Sequence, residues 1–274
     1  MSRSLFERKG PQRSVLAALG KSGLAWQVAL GAESGPIETS DFSAGFARLA
    51  VLQQRMPVRW VCGIEQMPQW LQIVPDGVRS LGELRAAASA NARYRLGTLP
   101  GGATWIADGY WSANAPFICR AMSSDLLEHL GARPSVTSVL EAGLQLMDRS
   151  ACARDSAGAW RCVSSAHEAH LLHYSGKQCQ HLRSFRLRQE PQGGEIGRVV
   201  QAEWRKERVR SNLLGDSLEW IHLGTLEEAS VPDGLQWVDA QLQSHLSLIP
   251  RPGTDGDAVH LLNVFNAVTT WSSP

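Results

Sequence analysis

The chain has 274 residues, of which 43% are hydrophobic and 19% are charged, and its net charge is +1. This composition is typical of a folded globular protein with a large core. The near-neutral charge disfavours nonspecific binding to nucleic acid or to an anionic membrane. No apolar stretch approaches the roughly 20 residues of a membrane-spanning helix, so we expect no direct membrane insertion.

The residues near the start do not form a secretory signal. The apolar run from Val15 to Leu19 is stopped by Gly20 and Lys21, well short of the apolar core of a signal peptide. The five cysteines include no Cys-x-x-Cys pair: Cys62, Cys119, Cys152, Cys162 and Cys179. Together these features predict a cytoplasmic protein with reduced thiols.

The first half of the chain predicts alternating strands and helices. Two apolar strands lie between Val15 and Leu30, on either side of the turn at 20–23. Ser40-Asp41 can cap a helix that ends at Pro57. The other predicted elements are a strand from Val58 to Ile64, a helix from Ser80 to Gly97 opened by a capping box, strands at Ala103 to Trp111 and Ala115 to Ala121, and helices at Ser124 to Leu130 and Ser135 to Met147.

The second half begins after a polar segment rich in small residues, Asp148 to Gly158, which predicts a division near residue 155. The predicted elements beyond it are strands at Trp160 to Ser164, His167 to Tyr174 and Cys179 to Leu187, a helix from Glu195 to Ser211, a strand from Ser217 to Leu223, and a last apolar segment from Ala258 to Val268.

The opening of the sequence resembles that of the PilM-type pilus-assembly proteins, which belong to the actin-like ATPase superfamily. The resemblance rests on a basic leader, Leu5-Phe6-Glu7-Arg8-Lys9, followed by a strand, a turn and a second strand. Where the family has Asp-x-Gly, this chain has Ala18 and Gly20. The resemblance implies a mixed α/β, two-lobed actin-like fold of degenerate type, with lobe I at 1–155 and lobe II at 156–274.

The resemblance also places a nucleotide site whose motifs are degenerate. The second Asp-x-Gly turn falls around Ser164-Ser165-Ala166, and the Gly-Gly of the adenosine site is reduced to Gly224. Without the acids, Mg²⁺ and water lose the groups that organise them around the phosphates. The implied nucleotide-binding positions are Gly20, Lys21, Ser22, Ser164 and Gly224. The prediction is a pseudo-ATPase with no catalytic residues and no metal or cofactor, with vestigial ATP binding left open.

The function implied by the resemblance is a non-catalytic cytoplasmic scaffold of a type IV pilus or type II secretion inner-membrane assembly platform. Such proteins are similar to the cytoplasmic part of GspL. The implied partners are a membrane-anchored protein of the PilN kind, with a peptide held in a groove between subdomains, and the assembly ATPase.

Two alternatives stay open from the residues alone. One is an actin-fold small-molecule kinase or ATPase whose acids are among Asp41, Asp108 and Asp155. The other is an unrelated α/β binding module. A P-loop is disfavoured, because the loop needs a glycine five positions before the Gly-Lys pair and position 15 is Val.

Histidine and tryptophan provide the remaining candidates. The spacing in 167–173 differs from the zincin signature, so we predict surface or half-buried histidines, with His167 and His173 on one strand face and His170 on the other. Tryptophans in strand-like runs are predicted core residues: Trp60, Trp105, Trp160 and Trp220. Trp70 and Trp111 lie in loop-like sequence and are candidate partner-binding anchors.

Overall fold

The computed structural model describes residues 14–21, 23–29, 37–97, 103–107, 115–131, 135–149, 158–187, 193–213, 215, 217–224, 232, 234–237 and 257–271. Within these ranges, no helix has both the length and the apolar character needed to cross a lipid bilayer.

The first half of the chain forms, in order, β1 (Ser14–Leu19), β2 (Leu24–Ala29), β3 (Ile37–Thr39), α1 (Phe42–Gln53), β4 (Val58–Cys62), β5 (Gln69–Gln72), α2 (Leu81–Leu96), β6 (Ala103–Ala107), β7 (Phe117–Ser123), α3 (Ser124–Leu130), β8 (Ser135–Ser138) and α4 (Val139–Arg149). The second half forms β9 (Ala159–Ser164), β10 (Glu168–Ser175), β11 (Gln178–Arg186), α5 (Gly193–Ser211), β12 (Leu218–His222), β13 (Leu235–Trp237) and α6 (Asp257–Trp271).

Two sheets with the same strand arrangement form the framework of the molecule. Their orders are β3-β2-β1-β4-β8 and β11-β10-β9-β12-β13. In each sheet the central strand is antiparallel to its hairpin partner and parallel to the strand on its other side. This repeated order confirms the two-lobed actin-like α/β fold that the sequence predicts. A smaller sheet, β5-β7-β6, is inserted in the first lobe between β4 and β8.

Side-chain caps determine where the first two helices begin. Asp41 accepts a hydrogen bond from the Ala44 backbone N–H at the start of α1. At the start of α2, Ser80 and Glu83 form both hydrogen bonds of a capping box, and Gly97 ends the helix with a positive φ of 70°. The predicted starts of both helices and the predicted end of α2 are confirmed, because the caps satisfy backbone groups that a helix end leaves unpaired. The predicted end of α1 at Pro57 is wrong, because the helix ends at Gln53.

The helix predicted from Ser135 is wrong over its first turn. Residues Ser135–Ser138 form β8, which extends the first sheet by pairing in parallel with β4. The β-branched Val136 and Thr137 suit a strand, and the Ser138 hydroxyl then accepts from the Glu141 backbone N–H to start α4. The short strands β3, β5 and β13 were also missing from the prediction.

Helices α4 and α6 lie between the two large sheets. An apolar cluster joins Leu16 and Val61 of the first sheet to Val163 and Ile221 of the second through both helices. Although α6 belongs to the second half of the chain, it packs on β1, β2 and β4 of the first sheet. The predicted division near residue 155 lies outside the described residues.

The described tryptophan side chains are buried. Those of Trp60, Trp160 and Trp220 are core residues as predicted, whereas the side chain of Trp105 lies outside the described residues. The four cysteines in the described ranges are buried thiols. Burial raises the pKa of the Cys62 thiol to about 12, which makes it unreactive at neutral pH.

Candidate functional site

The two hairpin turns that would bind phosphates have the same register in both lobes. Leu19 pairs with Leu24 across the first turn, and Ser164 pairs with Ala169 across the second. In the first turn the Gly20 backbone N–H donates to the residue 23 carbonyl at 3.0 Å, and residue 165 donates to residue 168 at 2.8 Å in the second. The lobes can therefore be compared position by position.

This comparison shows which residue replaces each family aspartate. Ala18 corresponds to Val163, one residue before the predicted Ser164-Ser165-Ala166 segment. Both side chains have 0% exposure and belong to the cluster around α4 and α6. The two positions that the resemblance assigns to the Asp-x-Gly aspartates thus contribute methyl groups to the core between the lobes.

The predicted nucleotide-binding residues lie at corresponding ends of the two sheets. Gly20 accepts a hydrogen bond from Gln66 Nε2 at 3.1 Å, and Lys21 is exposed. Ser164 and Gly224 are neighbours, because Leu223 donates to the Ser164 carbonyl at 2.7 Å. Ser22 lies outside the described residues.

Two imidazoles fill the space beside Gly224. A Cβ at this position would lie 3.2 Å from His222 Nε2 and 3.1 Å from His260 Cε1. Trp220 Nε1 donates to Ser164 Oγ at 2.8 Å, so the Ser164 hydroxyl can donate to His222 Nδ1 at 2.9 Å. Burial, reinforced by His260, lowers the pKa of His222 to about 3. A neutral histidine network therefore packs at the predicted adenosine site.

Two carboxylates that the sequence did not single out as a pair lie around Gly63. A Cβ added at Gly63 would lie 3.6 Å from Glu65 Oε2 of lobe I and 3.6 Å from Glu168 Oε2 of lobe II. Both groups already have partners. Arg186 Nε donates to Glu65 Oε1 at 3.0 Å, and the Ile64 backbone N–H donates to Glu168 Oε2 at 2.6 Å.

The acids proposed for the kinase alternative do not form this pair. Asp41 is the N-cap of α1, and Asp108 and Asp155 lie outside the described residues. Glu168 was missed because it precedes a run of histidines and belongs to a strand whose partner across the cleft is 104 residues away. The alternation of side chains along β10 was the only sequence signal that could have placed it beside His170.

The three histidines of 167–173 have separate surroundings. His170 lies between Glu168 Oε1, at 3.0 Å from Nε2, and Ser184 Oγ, at 2.8 Å from Nδ1. His173 packs edge-on against Trp160, and His167 packs against His260. The alternation of His170 and His173 is confirmed, but both are buried rather than half-buried. Among the described residues, no cluster of three or more His, Cys, Asp or Glu side chains could hold a metal ion.

A groove lies between the small sheet and α4. Its cavity has a volume of about 290 Å³, close to the lower limit of ordinary ligand pockets. The lining residues come from β5, β7 and α4: Gln69, Ile118, Leu140, Glu141, Leu144, Gln145 and Asp148. Arg120 of β7 forms an ion pair with Glu141 that joins the two walls.

Gln69 is the polar group at the base of this groove. Its side chain is 9% exposed, and within the described part of the chain its Oε1 atom has no hydrogen-bond partner. A buried carbonyl oxygen without a donor is unfavourable. An N–H donor that reached this oxygen from the groove would lie next to the apolar side chains of Ile118 and Leu144.

Of the two partner-binding anchors predicted in the first lobe, the one within the described residues, Trp70, does not lie in a surface loop. Trp70 is on β5 with 4% exposure, packed with Leu84 and Phe117, and its Nε1 donates to Gln72 Oε1 at 3.2 Å. The prediction of a loop context for Trp70 is wrong, because Pro68 precedes a short strand rather than a loop. Trp111 lies outside the described residues.

Comparisons with known proteins give matches only at the level of structure. No protein-family model matches the chain, and no curated protein matches it. The chain is similar to the cytoplasmic domain of EpsL, an inner membrane component of the type II secretion system of Vibrio cholerae, with 12% identity, coverage of 94% of this chain and 95% of that domain, and a TM-score of 0.48.

Two further solved structures are similar over most of the chain. One belongs to a PilM–PilN type IV pilus biogenesis complex, with 15% identity, coverage of 95% and 99%, and a TM-score of 0.49. The other is a Bacteroides thetaiotaomicron protein with an actin-like ATPase fold and unknown function, with 10% identity, coverage of 79% and 84%, and a TM-score of 0.47.

Proposed function

We propose that this chain is a non-catalytic cytoplasmic scaffold of a type IV pilus or type II secretion inner-membrane assembly platform. Its task is to hold a membrane-anchored partner of the PilN kind and to connect it to the assembly ATPase. The partner class comes from the resemblance of the opening sequence to PilM-type proteins. The structure supports the proposal through the state of the interlobe cleft and through the groove beside α4.

The observation that carries the non-catalytic assignment is the apolar character of both acid positions. Ala18 and Val163 are fully buried in the core between the lobes. Phosphoryl transfer depends on carboxylates or equivalent groups that hold Mg²⁺ and orient the attacking group. Methyl groups provide neither function, and the imidazoles of His222 and His260 fill the space beside Gly224.

The groove is the proposed binding site for the partner's peptide. A peptide can donate a backbone or side-chain N–H to Gln69 Oε1 and place an apolar side chain against Ile118 and Leu144. Asp148, with a side chain 63% exposed, also lines the groove, and its carboxylate pairs with Arg161 Nη1 at 3.5 Å. This surface favours a short segment that combines an apolar residue with an N–H donor.

The alternative function, an actin-fold kinase or ATPase, is favoured by one observation, the approach of Glu65 and Glu168 across the cleft. In an active enzyme such carboxylates would bind Mg²⁺. Here Glu65 is paired with Arg186 and Glu168 accepts from Ile64. We therefore favour the scaffold.

Copurification from the native cell tests the scaffold. Tagged full-length protein is expected to recover an inner-membrane protein with a short cytoplasmic segment, and that segment is then synthesised as a fluorescent peptide for titration. Leu144→Arg should fill the groove and abolish peptide binding. Val51→Arg is the matched control, because Val51 is also an apolar helix residue, 56% exposed on α1, outside the groove.

Gln69→Leu separates the effect on peptide binding from the effect on the stability of the free protein. Removal of the unsatisfied oxygen should leave the free protein as stable as before or more stable, whereas loss of its hydrogen bond to the peptide should weaken binding by about tenfold. Thermal melting and peptide titration measure the two effects. Binding unchanged by both Leu144→Arg and Gln69→Leu would show that the groove is not the partner site.

A further inference from the structure

A buried carboxylate connects the two lobes at the mouth of the cleft. Glu168 is 3% exposed and begins β10 in lobe II. Its Oε2 atom accepts from the Ile64 backbone N–H, directly after β4 of lobe I, at 2.6 Å. Hydrogen bonds to an ionised acceptor are short and stronger than neutral ones, so this contact holds the backbone of one lobe against the other.

The second oxygen of Glu168 is fixed within its own lobe. His170 Nε2 donates to Oε1 at 3.0 Å, and His170 Nδ1 is 2.8 Å from Ser184 Oγ on the neighbouring strand. The His170 ring and the Ser184 hydroxyl both lie on the hairpin β10–β11. The carboxylate is therefore oriented before it meets Ile64, which lowers the entropy cost of the interlobe bond.

An ion pair beside it connects the same two segments. Arg186 lies opposite Glu168 in the register of β10 and β11, and its Nε donates to Glu65 Oε1 at 3.0 Å. The Arg186 side chain is 57% exposed, so this pair contributes less than the buried bond. Residues 64 and 65 of lobe I are thus each held by a side chain of lobe II.

The position of Glu168 has no counterpart in lobe I. In the shared register of the two turns, Glu168 corresponds to Gly23, which has no side chain. The asymmetry means that the crossing carboxylate is a property of the second turn alone.

We propose that Glu168, supported by Arg186, is an interlobe latch that holds residues 64 and 65 of lobe I against lobe II without a nucleotide, in addition to the apolar core that joins the lobes through α4 and α6. The latch does not depend on the proposed function, because it concerns the lobes and not the groove beside α4.

Distance measurement between the lobes tests the latch. Spin labels are attached to noncanonical residues at two exposed positions, 55 in lobe I and 177 in lobe II, in the full-length protein without nucleotide. The protein with Glu168 and Arg186 unchanged should give one narrow distribution of distances between the two spin labels. Glu168→Ala should raise the population of longer distances by about tenfold, as loss of one charge-assisted bond allows, and Arg186→Gln should have a smaller effect in the same direction.

Glu203→Gln is the matched control, because Glu203 pairs with Lys206 Nζ at 2.5 Å within α5 of lobe II. Its distance distribution should equal that of the unsubstituted protein. If Glu168→Ala does not fold, as judged by circular dichroism, Glu168→Gln and Arg186→Gln decide the outcome. Distributions for these two variants that match the unsubstituted protein would overturn the latch, whereas broader ones would establish it.

Discussion

At the scale of single residues, two substitutions distinguish this chain from an active enzyme of its fold. Ala18 and Val163 pack against the helices between the lobes, and neither position has room or solvent for a charge. An aspartate introduced at either position would face the apolar side chains of the cluster between the lobes. On the proposed non-catalytic function, a single substitution back to aspartate at either position therefore should not create a nucleotide site.

Ala18→Asp should accordingly give no magnesium-dependent hydrolysis of ATP, and the unsubstituted protein should give none. The buried carboxylate should also lower the free energy of unfolding by about 3 kcal/mol or more, because burying an unpaired charge is strongly unfavourable. Phosphate release and urea unfolding measure the two effects. Ala18→Ser, which adds a small neutral group, serves as the folded control. Turnover above a heat-treated sample in either protein would contradict the assignment.

His222 should make stability depend on pH. Burial and the neighbouring His260 lower the pKa of His222 from its ordinary value of 6.5 to about 3. The unfolded chain takes up this proton more readily than the folded one. The contribution of neutral His222 to the free energy of unfolding should therefore be complete above a pH of about 6.5. It should fall as the pH drops from about 6.5 toward 3, by up to about 1.4 kcal/mol per pH unit.

His222→Gln removes the titrating group but keeps an oxygen that can accept from Ser164. Its unfolding midpoint should vary less with pH between 7 and 5 than that of the unsubstituted protein, even if it is lower at pH 7. The exposed His129 supplies the control, since His129→Gln should keep the original pH dependence. Equal slopes for all three proteins would show that His222 is not the source.

At the scale of elements, the sequence predicted what local chemistry determines. The Ser80–Glu83 capping box and the helix end at Gly97, where φ is 70°, need only neighbouring residues. Ser135–Ser138 was predicted incorrectly because its strand pairs only with β4, far away along the chain. Trp70 was misplaced for the same reason, since α2 covers it.

The candidate site was less predictable than the fold. Gly20, Ser164 and Gly224 could be located from turn patterns, but their surroundings depend on contacts between distant segments. Glu168 meets Ile64 across 104 residues, and Gln69 lines a groove whose other wall is α4. No local periodicity contains this information.

The packing of α4 on the second sheet gives an element-scale prediction. A Cβ at Gly143 would lie 2.3 Å from Val163 Cγ1, so Gly143→Ala should destabilise the protein by about 1 to 3 kcal/mol, although alanine favours a helix by about 1 kcal/mol. Val163→Ala removes the clashing methyl groups. The double variant should recover part of the loss in a urea-unfolding cycle; additive losses would mean that the two positions are not in contact.

At the scale of the whole molecule, the two helices between the sheets join the lobes into one unit. α6 follows the second sheet in the chain but covers β1 and β2 of the first, while α4 follows the first sheet and packs on β9 of the second. Each lobe therefore completes the core of the other. A domain boundary drawn along the chain does not divide this core.

Leu262→Ala tests whether the two lobes share one core, because Leu262 has 0% exposure in the cluster that contacts both sheets. Loss of this side chain should lower stability by about 2 to 5 kcal/mol, and hydrogen exchange in increasing denaturant should show β1 and β9 losing protection together at the lower midpoint. Leu84→Ala is the matched control. Leu84 is equally buried but belongs to the separate cluster of α2, the small sheet and the segment between β5 and α2, so protection should fall first there. If Leu262→Ala lowers the denaturant midpoint for loss of protection in β1 but not in β9, the lobes unfold independently. A core layer shared by both sheets could not lose a central leucine and still leave one sheet at full stability.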